Sequence, residues 1–448
     1  MKTISTGLST STKRAPVGLD VIEPAYLALL REDEGPAWLK KVREAGAKRW
    51  RSEGLPSKRE EKWRYTGTAF LAEANWIAAE ALGEDDLPSR ELFPTYPGEA
   101  SGEVVLLNGL IVDSWSSAMI PGVTITSSLH HSIEPMVAVD RGSVFEALNA
   151  SFMHDVITIE VAPGTRVEKP LVLSQFAFGE DHLNEWAIAC PRVHVIVGKG
   201  AEFALVELFG GEGRYVHAPV IEIELADGAR VSHARVSIEG ESAVRFGSAR
   251  LSVGRDAFCE TYQFSLSGHL LREDLSVLLT LPGAEAVLDG LYVASGSRHV
   301  DHSTSVEHLS PNTTSAQLYK GVLADEARGV FSGRVRIHRD AQQSNAAQLN
   351  NTLLLSSKAE VDTKPELEID ADDVKASHGA TIGQLDAEHV FYLQARSIPR
   401  ADAIRMLARG FVQDVAFRVR NPAMNEGLRE IVDVVLAGES FEGALDGV

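Results

Sequence analysis

The 448-residue chain is poor in cysteine, in basic charge and in long apolar segments, and each shortage excludes a class of protein. Only Cys190 and Cys259 occur, too few for a disulfide framework. The net charge of −20 disfavours nucleic acids and anionic membranes as partners, because both attract clustered lysine and arginine. No run of about 18 apolar residues is present, and the N-terminal stretch lacks the apolar region of a secretory signal. We therefore expect a cytoplasmic protein that contacts neither a membrane nor nucleic acid.

Short motifs of nucleotide and acyl chemistry are also missing. The sequence contains no phosphate loop, no GxGxxG after a strand and no GxSxG elbow, so it predicts neither ATP hydrolysis nor dinucleotide binding by this chain. Iron–sulfur clusters are usually held by about four thiolates, so two cysteines cannot hold one in that way. Both cysteines lie in β-rich runs, and we expect them to be buried structural thiols.

Composition divides the chain into four regions. A polar stretch at residues 1–20 is predicted to be a disordered tail. A helical region and an acidic, proline-rich linker follow at 21–100. Residues 101–385 alternate short β-rich runs with Gly, Asp and Asn, and residues 386–448 return to helical patterning.

The β-rich region is punctuated at a regular spacing. Four alanines, each after Gly or Asp, lie 28, 28 and 27 residues apart, with looser echoes later: Ala201, Ala229, Ala257 and Ala284, then Ala327 and Ala359. A repeat of this length is typical of stacked supersecondary units that bury their inner faces only by stacking. We therefore predict a mainly β protein with a parallel β-helix (solenoid) core and the alanines stacked in successive coils. An antiparallel sandwich is the alternative, although this region has few of the Asn-Gly and Asp-Gly turns that hairpins favour.

The C-terminal region shows two amphipathic patterns. Asp386 can cap a helix that runs to about Arg396, and Pro399 suits the first turn of the next one. That next helix carries an apolar stripe, and the last helix carries another: Ile404, Leu407, Ala408, Phe411, Val412, Val415 and Val419, then Leu428, Ile431, Val432, Val435 and Leu436.

Four histidines near carboxylates form a candidate metal site: His299, His302, His308 and His338. Imidazole and carboxylate together suit a first-row metal, so a metal-dependent enzyme is one candidate function. Strand alternation, however, places His302 and His308 on one face and His299 on the other. Hydrogen-bonded or solvated histidines are therefore the competing interpretation.

Two stretches resemble the SufD family of iron–sulfur cluster assembly subunits. The first is Leu-Pro-Ser-Lys-Arg-Glu-Glu-Lys-Trp-Arg-Tyr-Thr at 55–66. The second runs from Asp301 through Lys-Ala-Ser-His-Gly-Ala-Thr at 375–381 to Pro399. The resemblance covers most of the chain beyond residue 20 and implies a right-handed parallel β-helix between helical regions. It also implies a non-catalytic scaffold that pairs with the paralogue SufB and with the ATPase SufC, with a homodimer as an alternative state.

The same resemblance implies a site at His378. In the family this position lies near the end of the β-helix, where SufB is expected to meet its partner, and neutral imidazole is a good iron ligand. We expect His378 to contribute to a transient iron–sulfur cluster shared with SufB, with none bound stably by the isolated chain. Ala376 stands where family members often have cysteine, so that thiol cannot be essential here.

The resemblance further assigns ATPase docking to the C-terminal helices. A face free of the apolar stripe is the predicted contact surface: Pro399, Arg405, Arg409 and Gln413. A polysaccharide lyase or hydrolase on a β-helix is the alternative from another class, and it would need clustered carboxylates in a long groove. Activity on pectin-like polymers, against co-purification with an ATPase, separates the two functions.

Overall fold

The structure is a computed structural model that describes residues 17–32, 35–129, 135, 137–179 and 185–438. Most of the predicted tail lies outside the described residues, and the first helix begins at Leu19. Within the described part of the chain, no helix is both long and apolar enough to cross a membrane.

The N-terminal helical region is shorter than its composition suggested. This region holds helices α1 (Leu19–Glu32) and α2 (Ala37–Glu53). Helix α2 ends at Gly54, whose positive φ of 68° suits glycine and whose N–H donates to the Trp50 carbonyl. Beyond it, short 3₁₀ turns lead to strand β1 (Asn75–Ala78). Pro56 and Gly67 interrupt this stretch, and neither residue sustains a helix.

The remaining elements are nearly all strands. In chain order they are β2 (Gly102–Leu107), β3 (Leu110–Ile111), β4 (Val123–Ser127), α3 (Val144–Phe152), β5 (Ile157–Val161), β6 (Leu171–Phe178), β7 (Glu185–Ala189), β8 (Arg192–Val197), β9 (Glu202–Glu212), β10 (Tyr215–His217), β11 (Val220–Leu225), β12 (Arg230–Ser237), β13 (Val244–Val253), β14 (Phe258–Ser265), β15 (Leu270–Leu279), β16 (Glu285–Ala294), β17 (His299–His308), β18 (Thr314–Leu323), β19 (Arg328–Ile337), β20 (Asn345–Leu354), β21 (Glu360–Ile369), β22 (Lys375–Gln384), α4 (Ala387–Gln394), α5 (Arg400–Ala416) and α6 (Pro422–Gly438).

These strands wind into two facing sheets. From β11 onward, successive strands alternate between sheet A, which ends β11-β13-β15-β17-β19-β21, and sheet B, which ends β12-β14-β16-β18-β20-β22. Neighbours in this part of each sheet are parallel and in register. Antiparallel pairs occur only at the other end of the described sheets, where β3 pairs with β2 and β4 with β5. The parallel β-helix is therefore confirmed, and the antiparallel sandwich is wrong.

The periodic alanines mark the coils as predicted. Ala201, Ala229, Ala257 and Ala284 immediately precede β9, β12, β14 and β16, and all four are fully buried in the solenoid core. The echoes Ala327 and Ala359 are also in this core, but they precede strands of sheet A. They therefore stack at the other corner of the coil. The sheet B corner continues instead through Thr313 and Ser344, which are buried and hydrogen-bonded to each other.

Two helical layers cover the outer faces of the solenoid. Helices α1–α3 pack on sheet A, where Phe145 stacks on Phe246 of β13. Helices α5 and α6 pack on sheet B. The predicted stripe of α5 lies in one apolar cluster with outward side chains of sheet B, among them Leu291 of β16 and Val322 of β18. Both apolar stripes are thus confirmed as buried surfaces, which fixes the orientation of the C-terminal helices on the solenoid.

Candidate functional site

The C-terminal end of the solenoid is open. Strands β21 and β22 are the last in their sheets, and in the described part of the chain each pairs with one neighbour only. Their side chains are half-buried or exposed, whereas alternate side chains of β20 are buried. Unpaired strand edges offer N–H and C=O groups to another chain. This end therefore has the geometry of a docking edge.

His378 lies on that open edge. It is exposed near the middle of β22, and its register partner on β20 is Gln348. Ala376, two residues before it, packs against the solenoid core, so strand alternation places His378 on the inward-facing row. The small neighbours Gly379 and Ala380 leave the imidazole accessible at the rim of the last coil.

The four candidate metal-binding histidines do not assemble. His302 and His308 face inward and are fully buried, while His299 faces the other way and contacts the Thr66 hydroxyl at 2.9 Å. His338 contacts Glu307 at 2.9 Å outside the core. Among the described residues, no group of three or more His, Cys, Asp or Glu side chains is placed to hold a metal ion. The described geometry supports the interpretation as hydrogen-bonded histidines.

Burial keeps His302 and His308 neutral. His308 contacts Thr313 through Nδ1 at 2.8 Å and Ser315 through Nε2 at 2.9 Å, and burial lowers its pKa to about 4. Burial, with a smaller contribution from the Arg245 guanidinium, lowers the pKa of His302 to about 3. These rings are structural groups that resist protonation.

The two cysteines are buried structural thiols, as predicted. Both are free and fully enclosed. Burial raises the pKa of Cys259 to about 12 and raises that of Cys190 further, so both remain thiols at neutral pH. Thiolate is the form that binds iron, and neither side chain reaches the open end.

A buried ionic chain inside the solenoid escaped the sequence interpretation. Its members, in spatial order, are His233, Glu207, Arg235, Glu273, Arg245, Glu239 and His217. Successive members are joined at 2.9, 2.9, 3.2, 2.7, 3.2 and 3.5 Å, and every side chain is at most 1% exposed. Three carboxylates thus alternate with two guanidinium groups, and an imidazole closes each end.

The central acid of the ionic chain is Glu273. It contacts both Arg235 and Arg245, and Gly247 makes room for it, because a Cβ there would collide with the Glu273 carboxylate. Burial alone would raise the pKa of Glu207, yet Arg235 and His233 hold it below its ordinary value. Buried charges are stable only when they are paired in this way. Because Arg235 belongs to sheet B and Glu273 to sheet A, the ionic chain links the two sheets across the interior.

The sequence motif at 55–66 holds the N-terminal layer against sheet A, and we call this motif the clamp. Trp63 is buried under the Arg272 guanidinium, which lies 4.1 Å from the ring centroid. Arg272 also donates to the Lys62 carbonyl at 3.0 Å and pairs with Asp301, which accepts the Thr66 hydroxyl. This motif therefore fixes the N-terminal layer to β15 and β17.

The predicted ATPase-facing residues lie at the exposed side of the C-terminal helices. Pro399 is exposed at the start of α5, while Arg405 and Gln413 are partly buried. The Arg405 side chain is 3.5 Å from Asp402, and Arg409 reaches across to Asp433 of α6 at 2.5 Å. These residues therefore share one side of α5, but Arg409 already has a partner within the chain.

Three exposed large apolar side chains on α4 and α5 were missed from the sequence. Phe391 and Tyr392 of α4 and Met406 of α5 are 72%, 56% and 52% exposed. Arg396 stacks on the Tyr392 ring at 3.5 Å. The available signal was the adjacent Phe and Tyr in α4, a helix of eight residues. We call these three side chains the α4 patch. An exposed group of large apolar side chains typically marks a protein contact.

Comparison with known proteins identifies the class. Residues 180–411, just over half of the chain, match the family described as "SUF system FeS cluster assembly, SufBD core domain". The chain belongs to the SufBD family and is an iron–sulfur cluster assembly protein. This finding leaves no support for the polysaccharide lyase alternative.

Comparison with individual relatives shows that this chain is similar to SufD within the family. The chain is 30% identical to the iron–sulfur cluster assembly protein SufD of Escherichia coli, over 85% of this chain and 88% of that one. It is 28% identical to the chloroplastic protein ABCI7 of Arabidopsis thaliana, over 97% and 94% of the two chains. A SufBD family protein of Synechocystis, slr0076, is 27% identical over 84% and 87%.

Proposed function

We propose that this chain is the SufD-type scaffold subunit of a cytoplasmic Suf complex, that its open end pairs with SufB, and that its C-terminal helices dock the ATPase SufC. The observation that carries the proposal is the open end itself. Both sheets end in edge strands at the coil that bears His378. We expect a second copy of this chain to pair through the same edges when SufB is absent, so that the isolated chain would form a homodimer.

The pairing is tested by placing charge on the open edge. Ile382 of β22 and Ile369 of β21 are 49% and 43% exposed, large values for isoleucine in a strand. Replacing both with Asp should abolish co-purification of SufB from the native host, because a partner strand would bury the charges. Leu281→Asp is the matched control, since Leu281 is 39% exposed elsewhere on the solenoid. Retention of SufB by the double variant would contradict the assignment of this edge.

At the shared interface, His378 supplies an imidazole ligand to the nascent cluster, and SufB supplies thiolate. The chain carries only two cysteines, both buried, so a site shared between chains is a way to complete the ligand set. Iron and sulfide are the cargo of this site, and the cluster leaves for a carrier. We propose no catalysis by this chain, and ATP turnover belongs to SufC. Purified alone, the chain should show no ATPase activity.

His378→Ala in a cell that depends on this pathway is the decisive variant. The complex should form, and cluster-dependent enzymes should lose activity. His338→Ala is the control, because His338 is a partly exposed histidine on the same solenoid that contacts Glu307. Normal assembly and enzyme activity in His378→Ala would refute the role. Loss of the complex itself would make the histidine structural and would also refute the ligand assignment.

We assign SufC docking to Pro399, Arg405, Arg409 and Gln413 together with the α4 patch. Charge reversal at Arg405 and Arg409 should weaken SufC binding while the solenoid stays folded. Arg409 pairs with Asp433, so the swap Arg409→Asp with Asp433→Arg restores the internal pair as a control. Unchanged SufC binding in the charge-reversed variant would show that the interface lies elsewhere on the chain.

A further inference from the structure

Gln348 occupies the inward row directly beneath His378. Strands β20 and β22 pair in register, with Ala346 opposite Ala376 and Gln348 opposite His378. Ala346 is buried in the solenoid core and Ala376 packs against that core, so both strands turn these even-numbered positions inward. Neighbouring strands are about 4.8 Å apart. The Gln348 side chain therefore starts one strand spacing from that of His378.

The Gln348 amide is buried without a partner. The residue is 3% exposed, and neither Nε2 nor Oε1 makes a hydrogen bond to any described residue. Gly333 of β19 provides the space for it, because a Cβ there would collide with Nε2. A buried amide without partners costs free energy, whereas an apolar side chain of that shape would not. Packing in the isolated chain therefore does not explain a glutamine here.

Neighbouring interior amides behave differently. The Gln317 carbonyl, one strand below, accepts from the Thr304 hydroxyl at 2.8 Å. The Asn350 amide donates to the Thr363 hydroxyl at 3.1 Å. Of these three amides, Gln348 alone has both polar atoms unpaired, and it is the one whose register partner is His378. The missing partner is thus to be sought at the open end.

We propose that Gln348 is a positioning residue for His378, and that its amide oxygen accepts a hydrogen bond from one ring N–H of that imidazole. The other ring nitrogen then keeps its lone pair directed outward, towards iron at the interface. Histidine ligands are generally held in one tautomer by such an acceptor on the far nitrogen. The inference rests on the proposed role of His378 and adds a residue that fixes its orientation.

Docking of the partner makes this contact necessary. In the isolated chain His378 is exposed, so its imidazole is open to solvent. A partner strand that covers the edge removes that solvent, and a buried ring N–H then needs an acceptor inside the protein. Gln348 Oε1 is an unpaired acceptor in the adjacent position of the same row.

The test uses the complex of this chain with SufB and SufC, with ¹⁵N-labelled histidine side chains. Gln348→Met removes the polar atoms at nearly constant volume, Gln348→Glu keeps an acceptor oxygen, and Gln317→Leu is the matched control one layer deeper. His378→Ala assigns the imidazole signals. Two quantities are measured: the initial rate of cluster formation from iron(III) and sulfide, by visible absorption, and the tautomer of His378, by ¹⁵N chemical shifts.

Gln348→Met should lower the rate by about 10- to 100-fold, the usual effect of losing such a support, and should leave His378 as a mixture of tautomers. Gln348→Glu should restore both, and Gln317→Leu should change neither. A normal rate in Gln348→Met, or a lowered rate with unchanged His378 signals, overturns the inference. If Gln348→Met does not assemble, Gln348→Leu is read by the same criteria.

The His378→Ala variant separates this inference from the proposed function. If His378→Ala forms clusters at the wild-type rate, the proposed role of His378 fails, and with it any role of Gln348 towards iron. If His378→Ala loses cluster formation while Gln348→Met keeps it, only the positioning role fails.

Discussion

The solenoid interior should lose stability in mild acid, because it holds histidines that cannot protonate when folded. His302 and His308 are fully buried, with pKa values of about 3 and about 4, against an ordinary value of 6.5. Between pH 6.5 and these values the unfolded chain binds protons that the native chain cannot. The free energy of unfolding is therefore fully retained above pH 6.5 and falls as the pH is lowered.

The magnitude follows from the width of that window. One pKa unit corresponds to about 1.4 kcal/mol, so each of the two histidines lowers the free energy of unfolding by about 2 kcal/mol at pH 5. Together they remove about 4 kcal/mol, a large part of the roughly 5–15 kcal/mol that stabilises a typical domain.

His302→Gln keeps a hydrogen-bonding group beside Gln263 and removes the titration. Urea unfolding is followed by circular dichroism and tryptophan fluorescence at pH 7 and pH 5. The difference in free energy between the two pH values should shrink by about 2 kcal/mol in His302→Gln, and by about 4 kcal/mol when His308→Gln is added. Val306→Ala, on the same inward row, should lower stability equally at both pH values. An unchanged pH difference in His302→Gln would refute the reasoning.

Two further outcomes are expected. Glu273→Gln should lower the free energy of unfolding by about 3–5 kcal/mol, because Arg235 and Arg245 would lose the carboxylate that they share. A loss of less than about 1 kcal/mol is typical of an exposed ion pair and would contradict the argument from burial. Trp63→Ala should detach the N-terminal layer without unfolding the solenoid, because the Trp63 ring lies under Arg272. Limited proteolysis should then cleave the first helices preferentially. A cleavage pattern like that of the wild type would show that the clamp is dispensable.

The alanine repeat and the apolar stripes could be predicted from the sequence because each recurs at a single, regular interval. The alanines mark corners at an interval set by the coil, and the stripe through Ile404 and Val412 follows the helix. The face that receives this stripe was not predicted, since strands such as β12 are buried on both sides and show no alternation. Periodicity thus identifies elements more readily than it identifies which faces meet.

The ionic chain shows what a single-sequence interpretation omits. Glu207 and Arg235 are register partners on successive coils, and Gln263 follows on the next. Their spacing equals that of the alanines, so adding one repeat length to each buried charge would have found this row. Glu273 and Arg245 join it from the opposite sheet, and no sequence spacing signals a contact across the interior. The sequence motif at 375–381 was enough to single out His378 as a candidate site residue. The exposure of His378 follows from the open end of the solenoid, which the motif does not predict.

The open end also has a thermodynamic meaning. In a solenoid each repeat is stabilised mainly by its two neighbours, as in a one-dimensional chain of coupled units. The coil of β21 and β22 has one such neighbour in the described structure, so it should be the first to fray and the last to fold. A partner added at this edge supplies the second neighbour, and the resulting order would spread inward through the stack. Assembly and the final step of folding would then be a single equilibrium, and the population of intact last coils would depend on the concentration of the partner.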